Sequence, residues 1–251
     1  MKLILAAALL AATATSGTWL AAATRLPANI AKAAADPARA DQAVDDARRH
    51  GPEILAFAGV KPGDKVVDLQ PNSAYWTRLF AGAVGPRGKV YGVWVAPLLQ
   101  FTKDDETKYL AAAGKTWPNV VSLEQPADGF ATPEPADIIF TSQNYHDYLD
   151  KFMGPVDPAV LDKRFFDALK PGGYFIVIDH VALPGTGTDA TEKLHRIDPA
   201  LVKKQVTAAG FRFVGESTLL ANPKDDHMLN VFKPEIRGHT DQFVYKFRKP
   251  L

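Results

Sequence analysis

The chain has 251 residues, no cysteine, a formal net charge of +1 and 47% hydrophobic residues. That length and apolar share suit one α/β domain with a real core and short extensions. Without cysteine there is no disulfide, thiolate nucleophile or cysteine-ligated zinc. Basic and acidic residues are mixed, with no basic tract or aromatic-interleaved patch of the kind that nucleic acid binding uses.

The first 23 residues stand apart. Lys2 supplies a positive start, Leu3 to Leu10 is apolar, and Ala21-Ala22-Ala23 offers the small residues of a cleavage site. This is the pattern of a secretory signal peptide, residues 1–23. Thr13, Thr15, Ser16, Gly17 and Thr18 dilute the apolar run below what a stable membrane span needs. The expected mature protein is exported to a bacterial periplasm, with no stable membrane span after cleavage.

Residues 24–50 read as an N-terminal extension with a helix. Thr24 to Ala35 is expected to be a loose lead-in. Asp36-Pro37 then starts a helix running to about Arg49, with Asp as cap and Pro in the first turn. Gly51-Pro52 breaks it, and Glu53 to Ala58 forms a second helix ending at Gly59. Residues 51–251 read as the main domain. Val66 to Leu69 is a short buried strand ending in an acid, followed by the tight segment Gln70 to Ala74. Tyr75 to Val84 is helical, and Lys89 to Val93 is a second strand. Strand, turn, helix and strand form the unit that builds a parallel sheet.

Asn119 to Leu123 and Ala136 to Thr141 read as the third and fourth strands. Asp157-Pro158 starts a helix whose face is Leu161, Phe165 and Leu169, and Lys170-Pro171-Gly172-Gly173 ends it. Tyr174 to Ile178 is a fifth strand. Asp198-Pro199 repeats the helix start, with Val202, Val206 and Ala209 on one face and Gly210 as a left-handed cap. Phe211 to Glu216 and Phe243 to Phe247 complete the strands.

Several polar segments fall at strand ends, where open α/β sheets bind ligands. Asn144-Tyr145-His146-Asp147 follows the fourth strand. Asp179-His180 follows the fifth. An imidazole there can polarise or deprotonate a substrate near neutrality, so His146, Asp179 and His180 are the catalytic candidates. A polar helix start, or satisfied structural histidines, is the alternative. Asp68 can hold a ligand amine or simply cap the loop. No metal is assigned, because His146, His180 and His195 form no short His-x-x-x-His pattern. The connection Leu183 to Asp189 reads equally as a lid or a plain surface loop. Arg237 is expected to fix a local acid rather than a substrate carboxylate. No nucleophile-elbow serine or phosphate-loop lysine is present.

Val66-Val67-Asp68-Leu69 with its turn, and Leu169-Lys170-Pro171-Gly172-Gly173 before the fifth strand, resemble the class I S-adenosylmethionine-dependent methyltransferases. The segments Asn144 to Asp147, Leu194 to Asp198 and Arg237 to Phe243 look most like a group of exported bacterial predicted methyltransferases. The resemblance implies a Rossmann-like three-layer α/β sandwich, with a seven-stranded, mostly parallel sheet whose last strand is antiparallel. It implies S-adenosylmethionine as cofactor over the first two strands, with Asp68, Gln70, Asn72, Ser73, Ala74, Trp94 and Asn144 as cofactor-binding residues and an unknown small molecule as acceptor. Two features depart from the pattern. Gln70, Asn72 and Ala74 stand where glycines are expected, and Val93-Trp94-Val95-Ala96 has no carboxylate to hold ribose hydroxyls. A non-catalytic binding protein that kept the fold is therefore the alternative function, and a different reaction at the same cleft is a third.

Overall fold

The computed structural model describes residues 25–251. The expected signal peptide lies outside the described residues. No helix among the described residues is long and apolar enough to cross a membrane.

The segment expected to be loose contains helix α1 (Ala28–Ala34), which buries Ile30 and Ala33. It seats on a later helix where Gly82 leaves room: a Cβ there would lie 2.9 Å from the Ala33 methyl carbon. The single helix expected over 36–49 is instead broken into a 3-10 turn (Pro37–Arg39), α2 (Ala40–Ala43) and α3 (Asp46–Arg49). Arg39 folds inward, 2% exposed, to pair with Asp46 at 2.9 Å, and Tyr75 donates to the same carboxylate at 2.6 Å. These tertiary contacts outweigh a helical continuation. The expected break is present but falls at His50, left-handed at φ 48°, and Gly51-Pro52 after it open α4 (Gly51–Ala58), with Pro in the first turn. Gly51 is required there, since a Cβ would fall 2.3 Å from the Tyr75 hydroxyl.

The main domain continues with β1 (Lys65–Leu69), α5 (Tyr75–Val84), β2 (Lys89–Val95) and α6 (Leu99–Ala112). Helix α6 has no counterpart in the sequence expectations: its exposed face is charged and only Glu106 and Tyr109 are buried. Then follow β3 (Val120–Gln125), β4 (Ala136–Ser142), α7 (Pro158–Ala168) and β5 (Leu169–His180). The Lys170–Gly173 run belongs to β5 as an irregularity, because Leu169 pairs with Ala136 while Tyr174 already pairs with Ile138. The chain ends with α8 (Asp189–Leu194), α9 (Pro199–Ala208), β6 (Arg212–Ser217) and β7 (Gln242–Arg248). Three starts use one device: Asp36, Asp157 and Asp198 each accept the backbone N–H two residues on, beyond a proline.

The seven strands form one sheet in the order β3-β2-β1-β4-β5-β7-β6. All neighbours are parallel except β7, which is antiparallel to both β5 and β6. Two apolar clusters cover its faces, one containing Phe165, Phe175 and Phe247 and the other Leu79, Phe80 and Phe140. The order reverses between β1 and β4, the switch point where such sheets form a crevice at the strands' carboxyl ends. The turn after β1, the segment after β4 and the end of β5 all meet there.

Candidate active site

The turn after β1 keeps a demanding backbone without glycine. Gln70, Asn72 and Ala74 have φ of 53°, 48° and 60°. Each left-handed step costs an ordinary residue about 1–2 kcal/mol, so the surroundings must hold the turn. The Gln70 side chain does much of this. Its Oε1 accepts from the Val95 N–H at 3.1 Å, and its Nε2 donates to Thr102 Oγ1 at 3.0 Å. The buried amide thus spans the gap between the ends of β1 and β2, which glycine would leave open. Ala74 turns its methyl into the core, whereas Ser73 is exposed and its carbonyl accepts from Gln42 at 2.7 Å.

Two residues expected near a cofactor lie elsewhere. Asp68 is 1% exposed and accepts from the Thr77 hydroxyl at 2.5 Å on the α5 side of the sheet. Burial pushes its carboxyl up to about 7. Trp94 is fully buried, with its ring edge-on to Tyr109 at 5.4 Å. Neighbouring strand residues point to opposite faces. Val93 and Val95 belong to one apolar cluster and Trp94 to the other.

The segment after β4 leaves the sheet through Gln143, at φ 64°, and enters a 3-10 turn over His146–Leu149. That turn places His146 against the end of β5. Asp179 is fully buried and accepts three N–H groups: the His146 amide at 2.9 Å, His146 Nδ1 at 2.8 Å and the His180 amide at 2.8 Å. It holds the His146 ring with Nδ1 inward and Nε2 outward. His146 Nε2 then lies 3.3 Å from Asp147 Oδ1 and 3.3 Å from His195 Nδ1. Burial by itself lowers an imidazole's pKa, but the Asp179 and Asp147 carboxylates overcome this and hold His146 well above its ordinary value. Burial would raise Asp147, yet the adjoining His146 charge and hydrogen bonds from His146, His195 and Asn144 bring it below the usual carboxylate range.

His180 differs from its neighbour. Its Nδ1 is 2.7 Å from Thr240 Oγ1, and burial pushes its pKa down to about 3, against the pull of Asp179. It is a neutral ring at physiological pH.

A cavity of about 680 Å³ opens onto this cluster. One end is bounded by Asn72, Leu98, Phe101, Thr102 and Asp105, and the other by Asn144, His146, Asp147, His180 and His195. Of the expected catalytic residues, His146 and His180 line it and Asp179 stands behind His146. Of the expected cofactor residues, Asn72 and Asn144 line it, while Asp68, Gln70, Ser73, Ala74 and Trp94 do not. His195, Thr102 and Asp105 line it without having been assigned a site role from sequence. Arg237 also borders it. Its guanidinium lies 6.0 Å from the Phe232 ring centre, with no ion-paired acid among the described residues. The Leu183 to Asp189 connection is outside this lining; Gly185 donates to Asp198 at 2.9 Å, which ties it to the α9 start.

No family profile matches the chain. A stretch of 73 residues is 36% identical to the demethylmenaquinone methyltransferase of Bacillus mycoides, covering 29% of this chain and 26% of that relative's length. The whole fold is similar to a S-adenosylmethionine-dependent methyltransferase from Aquifex aeolicus, with a TM-score of 0.55 and 17% identity, over 85% of this chain and 94% of that one. It is also similar to the N-methyltransferase NodS from Bradyrhizobium japonicum, with a TM-score of 0.54 and 14% identity, over 81% and 96% of the two chains. A methyltransferase from Mesorhizobium loti superposes with a TM-score of 0.52 at 17% identity, over 78% and 96%. With its seven strands in this order and β7 reversed, the chain has the Rossmann-like fold of the S-adenosylmethionine-dependent methyltransferases.

Proposed function

We propose that the protein is a S-adenosylmethionine-dependent methyltransferase acting on a small-molecule acceptor. The observation that carries this reading is the turn after β1: in a methyltransferase fold, it keeps left-handed backbone at Gln70, Asn72 and Ala74 without glycine, beside a cavity lined by His146, Asp147 and His195.

The residues fit the donor in a particular way. The space directly against β1 and β2 is taken by Gln70. The cavity instead offers Leu98 and Phe101 as apolar walls for a purine, and Asp105 as an acceptor for ribose hydroxyls. Asn144 Oδ1 is buried with no hydrogen-bond partner, as suits an acceptor for the donor's ammonium group. The volume is in the range of small-molecule sites. When bound, the donor supplies an electrophilic methyl group on a sulfonium.

The chain's own residues do the rest. Asp179 fixes the His146 ring, and His146 Nε2 with Asp147 and His195 forms the polar end of the cavity, where an acceptor is held and polarised. Calorimetric titration of the purified protein with S-adenosylmethionine and S-adenosylhomocysteine tests the reading. Saturable binding of both supports it, and no binding by a folded sample overturns it.

A second reading, a binding protein that kept the fold, is favoured by the Gln70 bridge and by the lack of a carboxylate at the end of β2. Donor binding without release of S-adenosylhomocysteine across phenol, amine and thiol acceptors supports that alternative. We also propose export to the periplasm, on Lys2, the following apolar run and Ala21-Ala22-Ala23. N-terminal sequencing of the native protein is expected to find a start near Thr24, and an intact Met1 form counts against it.

A further inference from the structure

We propose that His146 Nε2, Asp147 Oδ1 and His195 Nδ1 form a binding site for a divalent transition-metal cation, with open coordination positions facing the cavity. The three atoms are mutually close: 3.3 Å between the two nitrogens, 3.3 Å from His146 Nε2 to Asp147 Oδ1, and 3.9 Å from His195 Nδ1 to Asp147 Oδ1. A point equidistant from atoms at these separations lies about 2 Å from each, the length of a zinc–imidazole or zinc–carboxylate bond. No fourth protein ligand is needed, because a site of three protein ligands leaves room for water or substrate.

The support around the three ligands also suits a cation. A metal-bound imidazole needs its other nitrogen protonated and held by a carboxylate or carbonyl. Asp179 does this for His146 Nδ1 at 2.8 Å, so that Nε2 is the ring nitrogen turned toward the other two ligands, and it releases its proton as the metal binds. Asn144 Nδ2 reaches the other Asp147 oxygen at 3.4 Å, leaving Oδ1 free. His195 is the residue that ends α8, in the left-handed conformation (φ 51°) common at helix ends. That backbone turns its ring toward His146 from a position 49 residues away in sequence. Asp150 Oδ1, buried and without a hydrogen-bond partner, lies along the same cavity wall. Two imidazoles and one carboxylate select first-row transition cations over calcium or magnesium.

This inference does not rest on the methyl donor, and its test contains none. If both hold, His146 serves as a ligand, and the cation polarises the acceptor's oxygen or nitrogen in an open position.

The test is calorimetric titration of Zn²⁺ into chelator-stripped, dialysed full-length protein, with Co²⁺ absorption as a second signal. The expected result is one equivalent bound, with visible d–d bands on Co²⁺ loading. His195→Ala is expected to weaken binding by about 100-fold, as loss of a direct ligand should exceed the roughly 10–100-fold loss from a supporting partner. Asp179→Asn is expected to weaken it by about 10-fold or more. His239→Ala, an exposed histidine outside the cluster, is expected to leave affinity unchanged. The proposal is overturned if folded wild-type protein takes up no stoichiometric Zn²⁺, or if uptake survives His195→Ala intact. The wild-type titration decides the matter even if a variant fails to fold.

Discussion

Asp179 Oδ1 lies 2.8 Å from His146 Nδ1, and its other oxygen accepts the His146 amide at 2.9 Å, so one buried carboxylate fixes both the ring and the backbone of the residue facing the cavity. This ties the end of β5 to the turn after β4. Removing the charge leaves several inward N–H groups poorly matched. Asp179→Asn is expected to destabilise the protein by about 3 kcal/mol, the order seen when one partner of a buried charged network is lost. Urea denaturation measures this. A change below about 0.5 kcal/mol, the range of ordinary surface substitutions, would show that the network is not fixed by Asp179.

Gln70 stands in the space that a cofactor pressed against β1 and β2 would use. Gln70→Gly removes the bridge to Val95 and Thr102 and relieves a left-handed glutamine. Affinity for S-adenosylmethionine is expected to rise by about 5-fold or more, on the order of 1 kcal/mol, because the space against β1 and β2 is then open to the donor. Ser73→Gly and Ala74→Gly are expected to change affinity little, because Ser73 is exposed and Ala74 faces the core. Calorimetry on the three variants checks the pattern. Equal gains from all three would mean that the turn acts through flexibility rather than through space.

Asp162 and Asp68 are buried acids pushed up to about 7, chiefly by burial. The folded state therefore binds more protons than the unfolded one between about pH 4 and 7. Their contribution to stability is largest below pH 4 and falls as pH rises to 7. Asp162→Asn removes one such group, next to Tyr145, whose hydroxyl donates to Asp162 at 2.9 Å. Denaturation at pH 4.5 and 7.5 is expected to show a smaller pH-dependent loss in the variant, by a few kcal/mol at one pKa unit per 1.4 kcal/mol. An unchanged pH profile would refute the raised pKa.

Arg196 is fully buried and holds Asp225 through both guanidinium nitrogens, at 2.9 and 3.1 Å. It also donates to the carbonyls of Leu229 and Val181. It fastens the long segment before β7 to the connection that carries His195. Arg196→Met leaves Asp225 uncompensated and is expected to cost about 3–5 kcal/mol. Adding Asp225→Leu is expected to restore part of that, because both charges are then gone. Thermal and urea melts of the single and double variants test the coupling. A double variant no better than Arg196→Met would mean that packing, not charge, dominates.

The local code was legible in the residues. The Asp-Pro starts at 36, 157 and 198 acted as caps, the strands from 66 to 178 fell where their apolar runs placed them, and the polar segments after β4 and β5 met at one edge. These features depend on φ preferences and side-chain periods within a few residues. The three left-handed positions of the glycine-poor turn, Gln70, Asn72 and Ala74, are those at which the resemblance to the methyltransferases places glycines. What the chain's order alone could not decide was direction and distance. Whether Trp94 faced a ligand or the core depended on which sheet face its strand position took. Whether Gln70 merely crowded the turn or bridged β1 to β2 depended on the Val95 amide and a kinked Thr102 opposite it. The break in the 36–49 helix came from Arg39 and Asp46 pairing and from Tyr75, 29 residues beyond Asp46, donating to the same carboxylate. The metal-like geometry of His146, Asp147 and His195 arose only when the parallel register of β4 and β5 brought the β4 turn against the chain after β5. A short-range motif cannot encode that convergence, because the sheet's register and the right-handed crossovers set it.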